Sequence, residues 1–340
     1  MTSPDLSGFT SLTEADELRK ANSVLQAQLR RAKTQTEDLV AATIEAATAA
    51  MVAFGPVPPI PEPKPDERKR TPEVALWHLT DWQGAKVTTS YNSDVMRERI
   101  LRYVDTAEHL TGIHRADHPV RDVAICFGGD VIEGLFNFPT QPFEIDQTLF
   151  GQYVGSARLV GDVVRRALAI YEHVEVFTEW GNHGRIGSKR SAVPRADNFD
   201  RMVYALAREI TEDSDRLTWH DCPEDIQRVE IGNYRAILTH GDECGRNGYV
   251  SPAQFVAWVT RQQSGAFEWE FRDCYVGHYH NHSEYALPNG LGSVYYTGSP
   301  ESDNRYARDG MAAAAIPSQR LQFIDPVKGR VTSSHKVWLA

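Results

Sequence analysis

Five short segments of the sequence each place side chains that can bind a metal ion or transfer a proton directly after an apolar run. They are Asp81-Trp82-Gln83, Gly129-Asp130 with Glu133 three residues on, Gly181-Asn182-His183-Gly184, His240-Gly241-Asp242 and Gly277-His278-Tyr279-His280. Carboxylate, amide and imidazole groups without a thiolate suit Mn²⁺, Fe or Zn²⁺ rather than a soft metal. The chemistry that such a set predicts is hydrolysis assisted by divalent metal ions.

The apolar runs before these segments alternate with stretches of helical pattern. We predict strands over 74–80, 123–129, 173–180, 228–232, 234–241, 273–277, 293–297 and 320–324, and helices over 93–110, 147–170, 197–211 and 252–263. Strands alternating with helices predict an α/β sheet, and the strand-rich second half predicts a second, mixed sheet. Because such folds place their sites at the carboxyl ends of the strands, the five segments are expected to converge in one crevice. A single segment of this kind is usually an ordinary loop, so the prediction depends on the five together.

In this order the segments resemble the signature of the calcineurin-like metallophosphoesterases, over about residues 74 to 300. The resemblance implies a four-layer αββα sandwich and a site for two divalent ions. It implies that Asp81, Gln83, Asp130 and His280 hold one ion and that Asp130, Asn182, His240 and His278 hold the other. His183 would then be the catalytic imidazole above the scissile phosphate, with Asn182 anchoring the backbone beside it.

A carboxylate shared by two cations about 3.5–4 Å apart screens their mutual repulsion, and the resemblance gives that place to Asp130. Hydroxide held by the ions would attack phosphorus, and His183 would protonate the leaving alkoxide or stabilise the transition state. Mn²⁺ is the ion that we expect first, with Fe or Zn²⁺ as alternatives.

One position departs from the usual family pattern. Gln83 stands where a histidine is usual, and its carbonyl oxygen either binds the metal or hydrogen-bonds a neighbour. Nearby, we expect Glu133 to orient a ligand histidine and Asp242 to fix the loop of His240.

The loop after His183 is basic in a chain whose net charge is −10. Arg185, Lys189, Arg190 and Arg195 either clamp the phosphates of a polyanionic substrate or form a solvated rim. The form GNHGR resembles bacteriophage phosphoesterases and the nuclease subunit of the double-strand-break repair complex. We therefore predict a phosphodiester hydrolase acting on DNA or RNA, that is, a nuclease. The alternatives are a phosphodiesterase for small nucleotides, and a protein phosphatase or scaffold.

Two aromatic residues stand among the predicted ligands. Trp82 and Tyr279 either stack on a base of the substrate or pack into the wall of the site.

The region before the catalytic segments has a different composition. Residues 1–54 contain a long Pro- and Gly-free stretch with a weak heptad pattern, which predicts a helix that forms a coiled coil with a second copy or docks on its own catalytic domain. Residues 55–72 are a proline-rich linker, with six prolines between 55 and 65. Residues 73–340 are the predicted catalytic domain.

The bulk composition limits where the protein works. The four cysteines include no CxxC pair, no apolar stretch approaches the roughly 20 residues of a membrane span, and the N-terminus does not resemble a secretory signal. We therefore expect a cytoplasmic protein without membrane contact, and a phage-encoded protein in a bacterial host also fits. The acidic net charge predicts that any nucleic acid is bound locally rather than by a broad basic face.

Overall fold

The structure is a computed structural model. It describes Ser23, Glu45 and residues 60–135, 137–138, 140–187, 194–211, 214–222, 226–244, 250–288, 290, 292–303 and 316–340. The chain divides into two compact units, Met1–Phe54 and Gly55–Ala340, and all five predicted site segments belong to the second. The coiled coil, Lys189 and Arg190 lie outside the described residues, so self-association and the domain boundaries stay predictions.

The first sheet has six strands. They are β1 (Val74–Leu79), β2 (Asp122–Gly128), β3 (His173–Glu179), β4 (Leu217–His220), β10 (Ser318–Asp325) and β11 (Arg330–Trp338). Their order across the sheet is β11-β10-β1-β2-β3-β4. Strands β1 to β4 run parallel, whereas β10 and β11 form an antiparallel hairpin against β1. The parallel strands therefore bring the carboxyl ends of β1, β2 and β3 to one edge of the sheet.

The second sheet has five strands. They are β5 (Gln227–Ile231), β6 (Tyr234–Thr239), β7 (Asp273–Val276), β8 (Ser283–Ala286) and β9 (Ser293–Tyr296), in the order β5-β6-β7-β9-β8. The central strands β6, β7 and β9 are parallel, and the two edge strands are antiparallel to their neighbours. The ends of β6 and β7 thus also meet at one edge.

Four α-helices cover the outer faces of the two sheets. They are α1 (Ser93–His114), α2 (Leu149–Ile170), α3 (Phe199–Thr211) and α4 (Pro252–Arg261). Side-chain caps fix where helices start, as Asn92 accepts a hydrogen bond from the amide of Val95 and Thr148 from that of Gly151. None of the helices in the described part of the chain is long and apolar enough to cross a lipid bilayer.

Strand β1 shows how the layers stack. Trp77 points toward the helices and packs edge-on against Tyr103 of α1 and against Tyr171, while Leu76 on the opposite face enters the core between the sheets. That core joins residues of both sheets: Val74, Leu76, Ala124, Cys126, Phe177, Val229, Ile231, Tyr234, Ala236, Leu238, Tyr275, Tyr295 and Ile324. Phe255 and Val259 of α4 pack on the outer face of the second sheet. The four-layer αββα prediction is confirmed.

Twelve predicted strands and helices are present, with ends that shift by a few residues. Three strands were missed, namely β4, β8 and β11. Strand β8 is mostly exposed, and β11 alternates exposed with partly buried polar residues such as Ser333 and His335, so neither has the apolar run that marks a central strand. Strand β8 is formed by its pairing with β9, and β11 by its pairing with β10.

The end of the predicted linker is held by hydrogen bonds to the rest of its own unit. Residues 60–69 form neither helix nor strand, yet the segment from Asp66 to Arg70 contacts three residues of the sheet-forming part of the same unit. The amide of Asp66 donates to Glu172 at 2.8 Å, Arg121 donates to the carbonyl oxygen of Asp66 at 2.8 Å, and Arg70 pairs with Asp117.

Candidate active site

The five predicted segments come together where the two sheets meet. Asp81 follows β1, Asp130 follows β2, Asn182 and His183 follow β3, His240 follows β6, and His278 and His280 follow β7. Hydrogen bonds join the two sheets at this point, because His240 Nδ1 lies 2.8 Å from the carbonyl oxygen of Gly128 and the amide of His278 donates to both carboxylate oxygens of Asp81 at 2.9 Å. All seven predicted metal ligands thus lie in one region.

The backbone of these segments is unusual. Among the described residues, seven non-glycine residues have a positive φ angle, and five of them are predicted ligands: Asp81, Gln83, Asp130, His278 and His280. This left-handed conformation is uncommon for residues with a side chain and persists where the surrounding structure imposes it. Its concentration in predicted ligands indicates a site with fixed side-chain directions.

Two glycines make the close approach of the segments possible. A Cβ atom on Gly181 would meet Asp130 Oδ1 at 2.1 Å, and one on Gly277 would meet Thr80 Oγ1 at 2.2 Å. Either side chain would push apart loops that carry predicted ligands.

One half of the site surrounds Asp81. His280 Nε2 lies 3.5 Å from Asp81 Oδ1 and 3.1 Å from Gln83 Nε2, and His280 Nδ1 lies 3.2 Å from Glu301 Oε2. Burial lowers the pKa of His280, but Asp81 and Glu301 outweigh this and raise it to about 10. Glu301, which sequence reasoning missed, therefore fixes the orientation of a predicted ligand histidine. It follows a strand, as the ligands do, but lies outside the recognised motifs.

The other half surrounds Asp130. His240 Nε2 lies 3.0 Å from Asp130 Oδ2 and 3.1 Å from Asn182 Oδ1. Ligand atoms of Asp130, His240 and His278 all lie within 4.8 Å of one another. Burial and the neighbouring His240 lower the pKa of His278 to about 4.

His183 lies at the rim of the Asp130 half. Its Nε2 is 3.9 Å from Asp130 Oδ2, and its Nδ1 is 3.1 Å from Glu133 Oε2. Burial lowers the pKa of His183, but Glu133 and Asp130 outweigh it and raise it to about 9. Glu133 was expected to orient a ligand histidine; the structure places it beside His183, whose Nδ1 also lies 3.1 Å from the backbone carbonyl oxygen of Glu133, which leaves Nε2 facing the site. Lys86 Nζ holds the other oxygen of Glu133 at 3.1 Å.

A buried carboxylate that the motifs did not reveal, Asp200, ties two of the loops together. Its Oδ2 accepts hydrogen bonds from the amides of Asp130 at 2.7 Å and Gly181 at 2.9 Å, and its Oδ1 accepts from the amide of Val131 at 3.1 Å. Burial and the charge of Asp130 raise the pKa of Asp200 to about 6. The residue stands in the first turn of α3, 19 positions after Gly181, so only the folded chain connects it with the site.

We expect Asp200→Asn to weaken this junction. The amide group that replaces one oxygen would face backbone donors, and each buried donor left unsatisfied costs about 1–3 kcal/mol. The free energy of unfolding in urea should therefore fall by roughly 2–5 kcal/mol. Asp105→Asn is the matched control, because Asp105 is exposed and its pair with Arg166 lies on the surface, where such pairs contribute about 1 kcal/mol or less. Equal stability of the two variants would contradict this role for Asp200.

The described basic residues of the loop after His183 are engaged by acidic neighbours. Arg185 pairs with Asp242, and Arg195 lies 3.2 Å from Asp242 and 2.7 Å from Glu243. Glu243 in turn accepts from the amide of Gly241 at 2.7 Å. Asp242 therefore links the loop of His240 to the loop of His183. Lys189 and Arg190 lie outside the described residues.

Trp82 and Tyr279 belong to the wall of the site. Trp82 is fully buried and packs edge-on against Phe127, and Tyr279 is buried against Tyr296 and Phe255. Of the two alternatives, stacking on a base and packing into the wall, the structure shows packing for both Trp82 and Tyr279.

No protein-family model and no curated protein matches the chain. Among solved structures the chain is similar to Vps29 of Entamoeba histolytica complexed with zinc (13% identity, 78% of this chain, 99% of that chain, TM-score 0.35). It is similar to a putative 5'-nucleotidase of Staphylococcus aureus (12%, 78% and 54%, TM-score 0.36) and to the sulfate thiohydrolase SoxB of Thermus thermophilus (7%, 80% and 57%, TM-score 0.34). The chain thus spans little more than half of the latter two. Similarity at this level says nothing about activity, and the functional assignment rests on the geometry of the site.

Proposed function

We propose that this protein is a metal-dependent phosphodiester hydrolase with two divalent ions in the site between the sheets. Asp81, Gln83, Asp130 and His280 would hold one ion, and Asp130, Asn182, His240 and His278 the other. The observation that carries the proposal is the convergence of these seven side chains, with five of them on left-handed backbone. The mixed oxygen and nitrogen donors favour Mn²⁺, with Fe or Zn²⁺ as alternatives.

An unsatisfied polar atom supports the fit of a metal ion. Gln83 Oε1 is buried and has no hydrogen-bond partner among the described residues, although Gln83 Nε2 contacts His280. A buried carbonyl oxygen left unpaired is costly and calls for an explanation. A cation beside Asp81 and His280 would supply the missing partner, which favours ligation over a purely structural role for Gln83.

When bound, the two ions lower the pKa of water toward neutrality and offset the charge on the phosphoryl oxygens. Asp130 and His183 supply the charge and the proton that the reaction also requires. Burial raises the pKa of Asp130, but the neighbouring His240 and His183 outweigh burial and hold this pKa well below its usual value. The Asp130 carboxylate therefore stays ionised. His183, whose Nδ1 lies against Glu133, presents Nε2 to the leaving oxygen and donates its proton there.

For the substrate we propose a phosphodiester of nucleic acid. The sequence places four basic residues after His183, and we propose that Lys189 and Arg190 among them contact phosphates of the substrate. A second candidate substrate is a small nucleotide. Arg185 and Arg195 pair with Asp242 and Glu243, so these two arginines hold the loops of the site together instead of binding the phosphates of a long polyanion.

A panel of substrates in Mn²⁺ tests the activity. Single-stranded DNA, duplex DNA, cyclic nucleotides and bis(p-nitrophenyl) phosphate should be compared at equal enzyme concentration. Hydrolysis of none of them by protein that carries two ions per chain would overturn the proposal.

The double variant Lys189→Ala/Arg190→Ala separates the two substrate classes. If several phosphates of a polynucleotide are held, kcat/KM for polynucleotide should fall relative to that for bis(p-nitrophenyl) phosphate, and its dependence on salt should flatten because fewer counterions are released. An unchanged ratio and salt slope would favour the small nucleotide. Arg68→Ala/Lys69→Ala, on the bound linker segment, is a control with the same change in charge.

A further inference from the structure

An exposed aromatic ring stands beside the catalytic imidazole. Phe138 is 45% exposed, and its ring centroid lies 5.0 Å from that of His183 with the planes tilted by 49°. An apolar ring left in water forgoes the free energy that burial would give. Because the ring lies beside the imidazole of His183, its exposed face is placed to contact a bound substrate.

The backbone that carries Phe138 is held by a buried glutamine. Gln141 Oε1 accepts from the amides of Phe138 at 3.1 Å and Asn137 at 3.0 Å, and its Nε2 donates to the carbonyl oxygen of Glu133 at 2.6 Å. Gln141 is fully buried. The loop is therefore anchored to the residue that orients His183.

Asn137 attaches the same loop to the catalytic segment itself. Its Nδ2 lies within hydrogen-bond distance of the carbonyl oxygens of Asn182 and His183, both at 2.9 Å. Phe138 thus has a fixed position relative to the imidazole. A ring held in place loses little further conformational entropy when a ligand stacks on it.

We propose that Phe138 is a specificity-determining residue whose exposed face stacks on a nucleobase of the substrate while the adjoining phosphodiester lies beside His183. This inference rests on the proposed function and names the residue that would contact the base of its substrate. Stacking requires no charge and tolerates any base, since every base has a flat π-face. It also gives the site a base contact that Trp82 and Tyr279, both buried, do not offer.

Two probes that release the same p-nitrophenolate isolate the base contact. Thymidine 5′-(p-nitrophenyl phosphate) carries a base, and methyl p-nitrophenyl phosphate does not. In Phe138→Ala, the ratio of kcat/KM for the thymidine probe to that for the methyl probe should fall roughly 5- to 100-fold, mainly through KM, as expected for removal of one base–aromatic stack. Phe138→Trp should restore the ratio.

Phe143→Ala is the matched control, because Phe143 is 88% exposed in the 3-10 helix Gln141–Phe143 of the same segment. The control should keep the wild-type ratio. An unchanged ratio in Phe138→Ala, or a ratio that Phe138→Trp does not restore, overturns the proposal and leaves Phe138 as a support of His183.

A binding measurement separates failure of this inference from failure of the proposed activity. If the wild type hydrolyses neither probe, the proposed function fails, and binding of adenosine 5′-monophosphate by calorimetry still judges the base contact. Weaker binding to Phe138→Ala than to the wild type and to Phe143→Ala supports the stack. Equal binding to all three proteins, or no binding to the wild type, overturns it.

Discussion

Asp130→Asn is expected to remove at least one of the two metal ions and nearly all hydrolytic activity. The carboxylate lies 3.0 Å from His240 and 3.9 Å from His183, and it is the one side chain proposed to contact both ions. Its replacement by a neutral amide removes the charge that screens the repulsion between them. Elemental analysis of the purified variant and turnover of bis(p-nitrophenyl) phosphate measure the two losses.

The fold should survive this change. Asparagine has nearly the same shape, and its Oδ1 can still accept the hydrogen bond that the amide of His183 donates at 2.7 Å. Circular dichroism and urea unfolding should therefore remain close to the wild type. Asp122→Asn, on the exposed start of β2, is the control and should keep both ions. Two ions per chain in Asp130→Asn would rule out the shared-ligand assignment.

His183→Ala is expected to keep both ions and to lower kcat by roughly 10²- to 10⁴-fold, the usual contribution of general acid–base catalysis. The imidazole is not a proposed ligand, and the backbone of the segment stays anchored through Asn137. If His183 protonates the leaving oxygen, the loss should shrink for p-nitrophenolate, which leaves readily without a proton. Rates on bis(p-nitrophenyl) phosphate and on a dinucleotide with an alkoxide leaving group give the comparison.

An equal loss on good and poor leaving groups would mean that His183 binds the phosphate rather than donating a proton. His173→Ala serves as the control, because His173 is an exposed histidine paired with Asp122 far along β3 from the site. Its rates should match the wild type on both substrates. Glu133→Gln should reproduce part of the His183 effect, since the charge of the Glu133 carboxylate beside Nδ1 raises the pKa of His183.

The sequence was sufficient for the central strands and for the convergence of the five predicted segments. Runs such as Val74–Leu79 are apolar on both faces because both faces of the strand are covered, and this makes them recognisable without a structure. Each segment of predicted ligands directly follows such a run. The parallel connection of strands then requires their carboxyl ends to meet at one edge, so convergence followed from local pattern and topology.

The tertiary structure decided which groups hold those residues in place. Asp200, Glu301 and Gln141 are ordinary polar residues in sequence, and they orient site loops only because folding buries them beside unpaired donors or histidines. Likewise, the charges of Arg185 and Arg195 were visible in the sequence, but their pairing with Asp242 and Glu243 was not. Periodicity and motif spacing in a sequence reflect how a residue is placed within its own helix, strand or adjoining loop. Contacts between loops that are distant in the chain produce no pattern in the sequence. These contacts determine whether an arginine faces a substrate or an aspartate.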